Sequence, residues 1–248
     1  MKIDRVLLST TGDPMYADGI QYVRQAWEKM GANVTVVQVG DIDGPDIPGV
    51  DIKFRSMKGV YDANLAKIMR VMIAELFPED WCLISDADMI PLNYEYFRVE
   101  SMHADENSIL FYTSELEGED AGKYPACYML AKGSTFKQYV NPHGMKFERL
   151  VHYWSKGPKF SSNPLDHMTN PSVFPFSDES LYRKLFRHAP KICLTRHHQT
   201  RRLCRSRWFL FDQQELDRRG YIDCHMLRPF KDHIEELRPV FKSLDIEI

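Results

Sequence analysis

Asp86-Ala87-Asp88 follows directly on the apolar stretch WCLIS at 81–85. Two carboxylates one residue apart at a strand exit can hold a hard divalent ion and the phosphates bound to it. In an open α/β sheet, ligands bind beyond the carboxyl ends of strands. An ion there would neutralise the charge that builds on a diphosphate leaving group. An Asp-x-Asp triplet alone is weak evidence, and the chain carries a second, Asp41-Ile42-Asp43. That one lies in a Gly/Pro loop beside Asp46 and reads as a solvated turn. Only the 86–88 triplet caps a hydrophobic strand and runs on into an apolar-Pro stretch, MIPL.

Other chemistry-bearing residues each admit a plain reading beside a functional one. Thr10, Thr11 and Asp13 sit in the exit loop of the first strand, where they serve ordinary turn chemistry or contact a base or ribose. Lys67 and Arg70 lie opposite the apolar stripe of a helix just before WCLIS, as a solvated face or as nucleotide-binding cations. Asp178 and Glu179 follow Ser177 at a helix start, where acids favour the positive dipole end. One of them can equally be the general base that deprotonates an acceptor hydroxyl. The stretch 191–211 holds six Lys+Arg, two His and no acid. It is a solvated basic surface or a clamp for a diphosphate or an anionic acceptor; nucleic acid is disfavoured by the acidic first half. His197 and His198, adjacent on a strand, point to opposite faces and do not readily share one ion.

The elements that must position these groups alternate over the first 90 residues. RVLLS at 5–9 reads as a buried strand, followed by the turn TTGDP. Asp18 caps a helix carrying Ile20, Val23, Trp27 and Met30, which Gly31 ends. NVTVVQV at 33–39 is a second strand, and 40–51 is loop. Leu65, Ile68, Met69, Met72, Ile73 and Leu76 predict a helix over 62–77. Strand–helix–strand–helix–strand implies right-handed crossovers and a mainly parallel sheet with helices on both faces. Further on, strands are expected at 108–113 and 127–131, and helices at 134–140, 145–154 and 178–187. Residues 155–177, rich in Pro, Ser and Asn, read as a long binding loop or lid.

The chain has 248 residues, 44% hydrophobic and 27% charged, which excludes a mostly disordered protein. No apolar run approaches the roughly 20 residues of a membrane helix, and the N-terminus lacks a signal-peptide core. Five cysteines without CxxC spacing argue against a disulfide framework or a cysteine-based zinc site and for a reducing, cytoplasmic location. Residues 1–120 hold 22 Asp+Glu against 10 Lys+Arg, and residues 121–248 hold 13 against 22. A single α/β domain is expected, with a nucleotide-binding half at 1–92 and an acceptor-binding half at 93–248.

WCLISDADMIPL resembles the strand–DxD–apolar-Pro segment of GT-A-fold glycosyltransferases. The hydroxyl residues ending the first strand, the basic helix before the triplet, the acidic pair at 178–179 and the late segment DCHMLRP at 223–229 follow in the order that family shows. The resemblance spans about residues 4–230. It implies that Asp86 contacts the ribose or the metal, that Asp88 is a direct metal ligand, and that His225 completes the metal site beside the diphosphate. Arg228 would face a phosphate. HMLRPF departs from the glycogenin-like HxxGxxKPW ending. The implied activity is a Mn2+- or Mg2+-dependent transfer of a sugar from a nucleotide-diphosphate donor to a hydroxyl on a glycan or a protein-linked sugar. Compact enzymes of this resemblance occur in bacteria that build surface polysaccharide and in large DNA viruses. Rival readings are a non-catalytic nucleotide- or glycan-binding domain and a haloacid-dehalogenase-type phosphatase. The phosphatase wants its acids on the first strand with Thr or Val where this chain has Ile90. A nucleotidyltransferase wants a Gly-rich loop where this chain has only Gly12.

Overall fold

The computed structural model describes residues 3–44, 46–112, 124, 127–155, 182, 185–194 and 201–248. Its main sheet has seven strands in the order β3-β2-β1-β4-β7-β6-β8. These are β1 (Arg5–Thr11), β2 (Asn33–Gly40), β3 (Ile52–Arg55), β4 (Trp81–Ile84), β6 (Ile109–Phe111), β7 (Met129–Lys132) and β8 (Lys191–Cys193). β3, β2, β1 and β4 run parallel; β7 is antiparallel to both β4 and β6, and β8 is parallel to β6. The expected α/β, mainly parallel architecture is present, with one antiparallel strand next to β4. The sheet is continuous across residue 92.

Period-two side-chain alternation divides the core between the two sheet faces. Val6, Leu8 and Leu83 pack on one side with Ile20, Val23 and Trp27 from the helix α2 (Ile20–Lys29). Leu7, Cys82 and Ile84 pack on the other with Leu65, Ile68, Met69 and Met72 from α3 (Asp62–Met72). Trp27 is wedged edge-on against Phe97 and Tyr128, at 4.9 and 5.9 Å between ring centroids. A fully buried side chain such as Phe97 contributes roughly 1.5–3 kcal/mol.

α3 stops as an α-helix at Met72 and tightens into a 3-10 turn at Ile73–Leu76. The helical path thus ends at Leu76, one residue short of the expected 62–77, where Phe77 precedes Pro78 and the α conformation is disfavoured. The helix expected from Asp18 is present as α2, with Gly19 and not Asp18 as its N-cap residue, and a further short helix precedes it. Asp13 caps a short helix α1 (Pro14–Ala17), its Oδ1 accepting from the Met15 N–H at 2.9 Å, and α2 begins after Gly19. β1 runs two residues beyond the expected 5–9 because β2 pairs with it through Thr11↔Val39.

A second sheet of three strands escapes the periodicity argument. It is formed by β5 (Met89–Pro91), β9 (Arg202–Leu203) and β10 (Asp223–His225), with β10 in the middle. Strands of two or three residues carry too little alternation to register as a pattern. The expected loop at 155–177 and most of the expected helix at 178–187 lie outside the described residues.

Candidate active site

β1 and β4 are parallel neighbours with Leu7 opposite Ile84. Their carboxyl ends therefore deliver Thr10-Thr11 and Asp86-Ala87-Asp88 to the same edge of the sheet. α3 closes one wall, presenting Tyr61, Asp62, Lys67 and Arg70. The resulting cleft has a volume of about 950 Å³, in the range that holds a cofactor-sized ligand. Gly40 ends β2 at φ +124°, with the Asp62 carboxylate 3.2 Å from where a Cβ would stand. Glycine adopts that φ readily and, having no Cβ, leaves room for the Asp62 carboxylate.

Asp86 is bound into the fold. Arg70 Nη1 makes a tight ion pair with its Oδ1 and also donates to the Ser85 carbonyl at 3.2 Å. Arg70 Nε donates to the Tyr182 hydroxyl at 2.8 Å, which in turn donates to the Lys67 carbonyl at 3.2 Å. Arg70 is only 3% exposed. It is thus not on a solvated face: the polar side of α3 is covered by Tyr182 and the β4 exit. Burial raises the Asp86 pKa, but the Arg70 charge and hydrogen bond, with a hydrogen bond from Cys127, outweigh it and hold the carboxyl below its ordinary value. Burial pushes the Cys127 thiol well up, so it stays protonated and donates.

Asp88 meets different company. The antiparallel register His225↔Met89 and the hydrogen bond from Met226 N–H to the Asp88 carbonyl, at 2.8 Å, bring β10 against the triplet. His225 Nε2 then lies 3.2 Å from Asp88 Oδ2, and Arg205 Nη1 donates to the same oxygen at 3.2 Å. Arg228 Nε stands 3.3 Å from it without hydrogen-bond geometry. The Arg228 guanidinium lies over the Tyr16 ring at 4.3 Å. One carboxylate oxygen is thus shared by two guanidiniums and an imidazole. Deeper in, Asp223 is fully buried and takes both arms of Arg202 at 2.8 Å and the Tyr128 hydroxyl at 2.8 Å.

A divalent ion, implied by the resemblance, is tested by this donor set. The Asp88 carboxylate and the His225 imidazole converge; the carboxylate suits Mn2+ or Mg2+, and of the two the imidazole suits Mn2+, the transition metal. Asp86 does not join them, since Arg70 and Cys127 hold its carboxylate. Among the described residues no three His, Cys, Asp or Glu side chains form a metal cage. An ion here would rest on Asp88 and His225 and complete its shell with phosphate oxygens and water, as such ions commonly do.

The other expected residues are placed as follows. Thr10, Thr11 and Asp13 line the cleft. Asp13 is spent on capping α1, and Thr11 Oγ1 accepts from the Asp13 N–H at 3.2 Å. Lys67 and Arg228 line the cleft. Asp178 and Glu179 lie outside the described residues, as do His197 and His198. Arg205 and Tyr16 also line the cleft, and the sequence pattern points to neither residue individually. Arg205 stands in the basic run 191–211, but nothing in its spacing distinguishes it from its neighbours there. The cleft takes its acids from before residue 92 and Arg205, His225 and Arg228 from after it.

No family model matches the chain, and no curated protein matches it in sequence. Among solved structures, it is similar to the glycosyltransferase GlyE of Streptococcus pneumoniae TIGR4, with a TM-score of 0.52 and 13% identity, covering 100% of this chain and 61% of that one. The apo form of GlyE gives a TM-score of 0.51 at 12% identity, covering 99% and 63%. The galactosyltransferase LgtC, solved with donor and acceptor sugar analogues, gives 0.50 at 10% identity, covering 98% and 96%. The chain thus spans about three fifths of GlyE and nearly all of LgtC. At such identities the likeness is one of fold: the chain has a GT-A-like fold.

Proposed function

We propose that this protein is a glycosyltransferase that moves a sugar from a nucleotide-diphosphate donor to a hydroxyl on a glycan or other acceptor. The observation that carries the reading is the convergence of Arg205, His225 and Arg228 on one oxygen of Asp88, at the floor of the cleft. A departing diphosphate develops negative charge, and preorganised cations aimed at that point lower the barrier. The GT-A-like fold supports the same reading, because the chain matches structures of two glycosyltransferases along most of its length.

Within this reading Thr10 and Thr11 offer hydroxyl groups to the ribose or base at the mouth of β1. Arg70 fixes Asp86 and thereby the backbone that carries Asp88. Arg228, laid against Tyr16, faces the phosphates. A Mn2+ or Mg2+ ion bound by Asp88 and His225 would act as a Lewis acid on the diphosphate. Asp178 or Glu179 is the proposed base for the acceptor hydroxyl in an inverting reaction.

A screen of UDP-, GDP- and dTDP-sugars tests the proposal, with thermal shift and donor hydrolysis read with and without manganese. A ligand that binds the native state raises its melting temperature. One nucleotide is expected to give a manganese-dependent shift and release of sugar, both lost in Asp88→Ala. A non-catalytic binding domain would give the shift and no sugar release.

A further inference from the structure

Arg205 belongs to the basic run 191–211, whose reading as a diphosphate clamp singles out no residue. We infer that Arg205, paired with Arg228, forms a two-guanidinium seat that binds a diphosphate directly, without a divalent ion bridging them. The inference rests on the proposed donor chemistry and names a further residue that holds it. Arg205 opens the 3-10 segment Arg205–Leu210 that follows β9, so its backbone is fixed beside β10. It spends a single donor, Nη1, on Asp88. Its other N–H groups make no hydrogen bond among the described residues, and its side chain is 30% exposed on the cleft.

Charge bookkeeping separates this seat from its surroundings. Arg70 is matched by Asp86, and Arg202 by Asp223. Asp88 faces both Arg205 and Arg228, so a full positive charge is left over, with the His225 imidazole beside it. Arg228 Nε is buried yet without a hydrogen-bond partner among the described residues. Two forked guanidiniums presenting unspent donors at one point match the non-bridging oxygens of a diphosphate. Asp88 competes with those oxygens for the same donors. Removing its charge should therefore tighten metal-free diphosphate binding, whereas it would weaken binding that runs through an ion on Asp88.

Titration calorimetry with inorganic pyrophosphate in EDTA-containing buffer decides the matter, with circular dichroism to confirm that each variant is folded. The wild type is expected to bind, Arg205→Ala to bind about tenfold more weakly or worse, Arg205→Lys to recover only part, and Asp88→Asn to bind more tightly. Unchanged affinity in Arg205→Ala would overturn the inference. So would binding that appears only when manganese replaces EDTA, or weaker binding in Asp88→Asn. The sugar-nucleotide screen is read separately. Transfer by the wild type with pyrophosphate binding indifferent to Arg205 removes this seat and leaves the glycosyltransferase reading standing. The reverse pattern removes the reading and leaves the seat.

Discussion

Asp86 and Asp88 are the same residue type, separated by one alanine on one turn of chain, yet the fold treats them oppositely. Asp86 has one guanidinium of its own, from a nearly inaccessible Arg70, and a protonated thiol from Cys127. Asp223 is a third acid handled the first way, fully buried between Arg202 and Tyr128. Asp88 shares one oxygen among three nitrogen groups that line a cleft. An acid whose charge is matched inside the fold holds structure together. An acid outnumbered by cations at a cleft floor marks a place that accepts further negative charge. Burial alone would not have separated them, because Asp88 is the less exposed of the two, 7% against 28%.

The largest test of the contrast is Arg70→Met. It strands the Asp86 carboxylate in a partly buried site and should cost about 3 kcal/mol or more in urea unfolding at neutral pH. Asn at position 86 in the same background should return part of that loss. The pH dependence carries a sign. In the wild type the folded-state carboxyl is held low, so the pair stabilises the fold above the unfolded value of about 4 and that contribution disappears as pH falls through the lowered folded value. In Arg70→Met the main influence opposing burial is gone and the carboxyl rises, so that variant should gain stability on going from pH 7.5 to about pH 5. A variant equally stable at both would show that Asp86 is not a matched structural acid.

Asp88→Asn should do the opposite: little change in unfolding, and sugar transfer slower by about a hundredfold, the size of effect that loss of a charge-stabilising group produces. If its main effect were on stability, the two acids would belong to one class. Tyr128→Phe addresses the third acid and should cost about 1–2 kcal/mol, with the transfer rate per folded molecule unchanged. A selective loss of rate would instead extend the site inward to Asp223.

The smallest effect contrasts two thiols. Cys127, beside Asp86, is pushed well up by burial. For Cys204 burial also raises the pKa, but hydrogen bonds from Ser206 and His225 outweigh it and leave the thiol below its ordinary value. Alkylation by iodoacetamide, followed by peptide mass spectrometry across pH 6–9, should therefore modify Cys204 at lower pH than an ordinary thiol and spare Cys127. Nucleoside diphosphate should slow the modification of Cys204, which adjoins Arg205, and equal rates at both cysteines would dissolve the distinction.

Much of the frame was legible in the chain. The runs at 5–9, 33–39 and 81–85 and the stripe on 62–77 are long enough for period and length to identify them, and they suffice to place the 86–88 triplet at a sheet edge. β5, β9 and β10 were not legible, being two or three residues each, and they are the strands that carry His225 and Arg202. Helix geometry left Arg70 as either a solvated cation or a nucleotide-binding one, because it shows the side a residue occupies and not what packs there; Asp86 and Tyr182 pack there.

The sequence by itself thus determined an alternating α/β sheet with a pair of carboxylates at the end of its central strand, since local hydrophobic periodicity encodes both. Only tertiary structure decided what each carboxylate is for. That depends on which cations arrive from residues 70, 202, 205, 225 and 228. Their meeting is set by strand register and layer packing, which for the cations around Asp88 join segments more than a hundred residues apart and which no local pattern records.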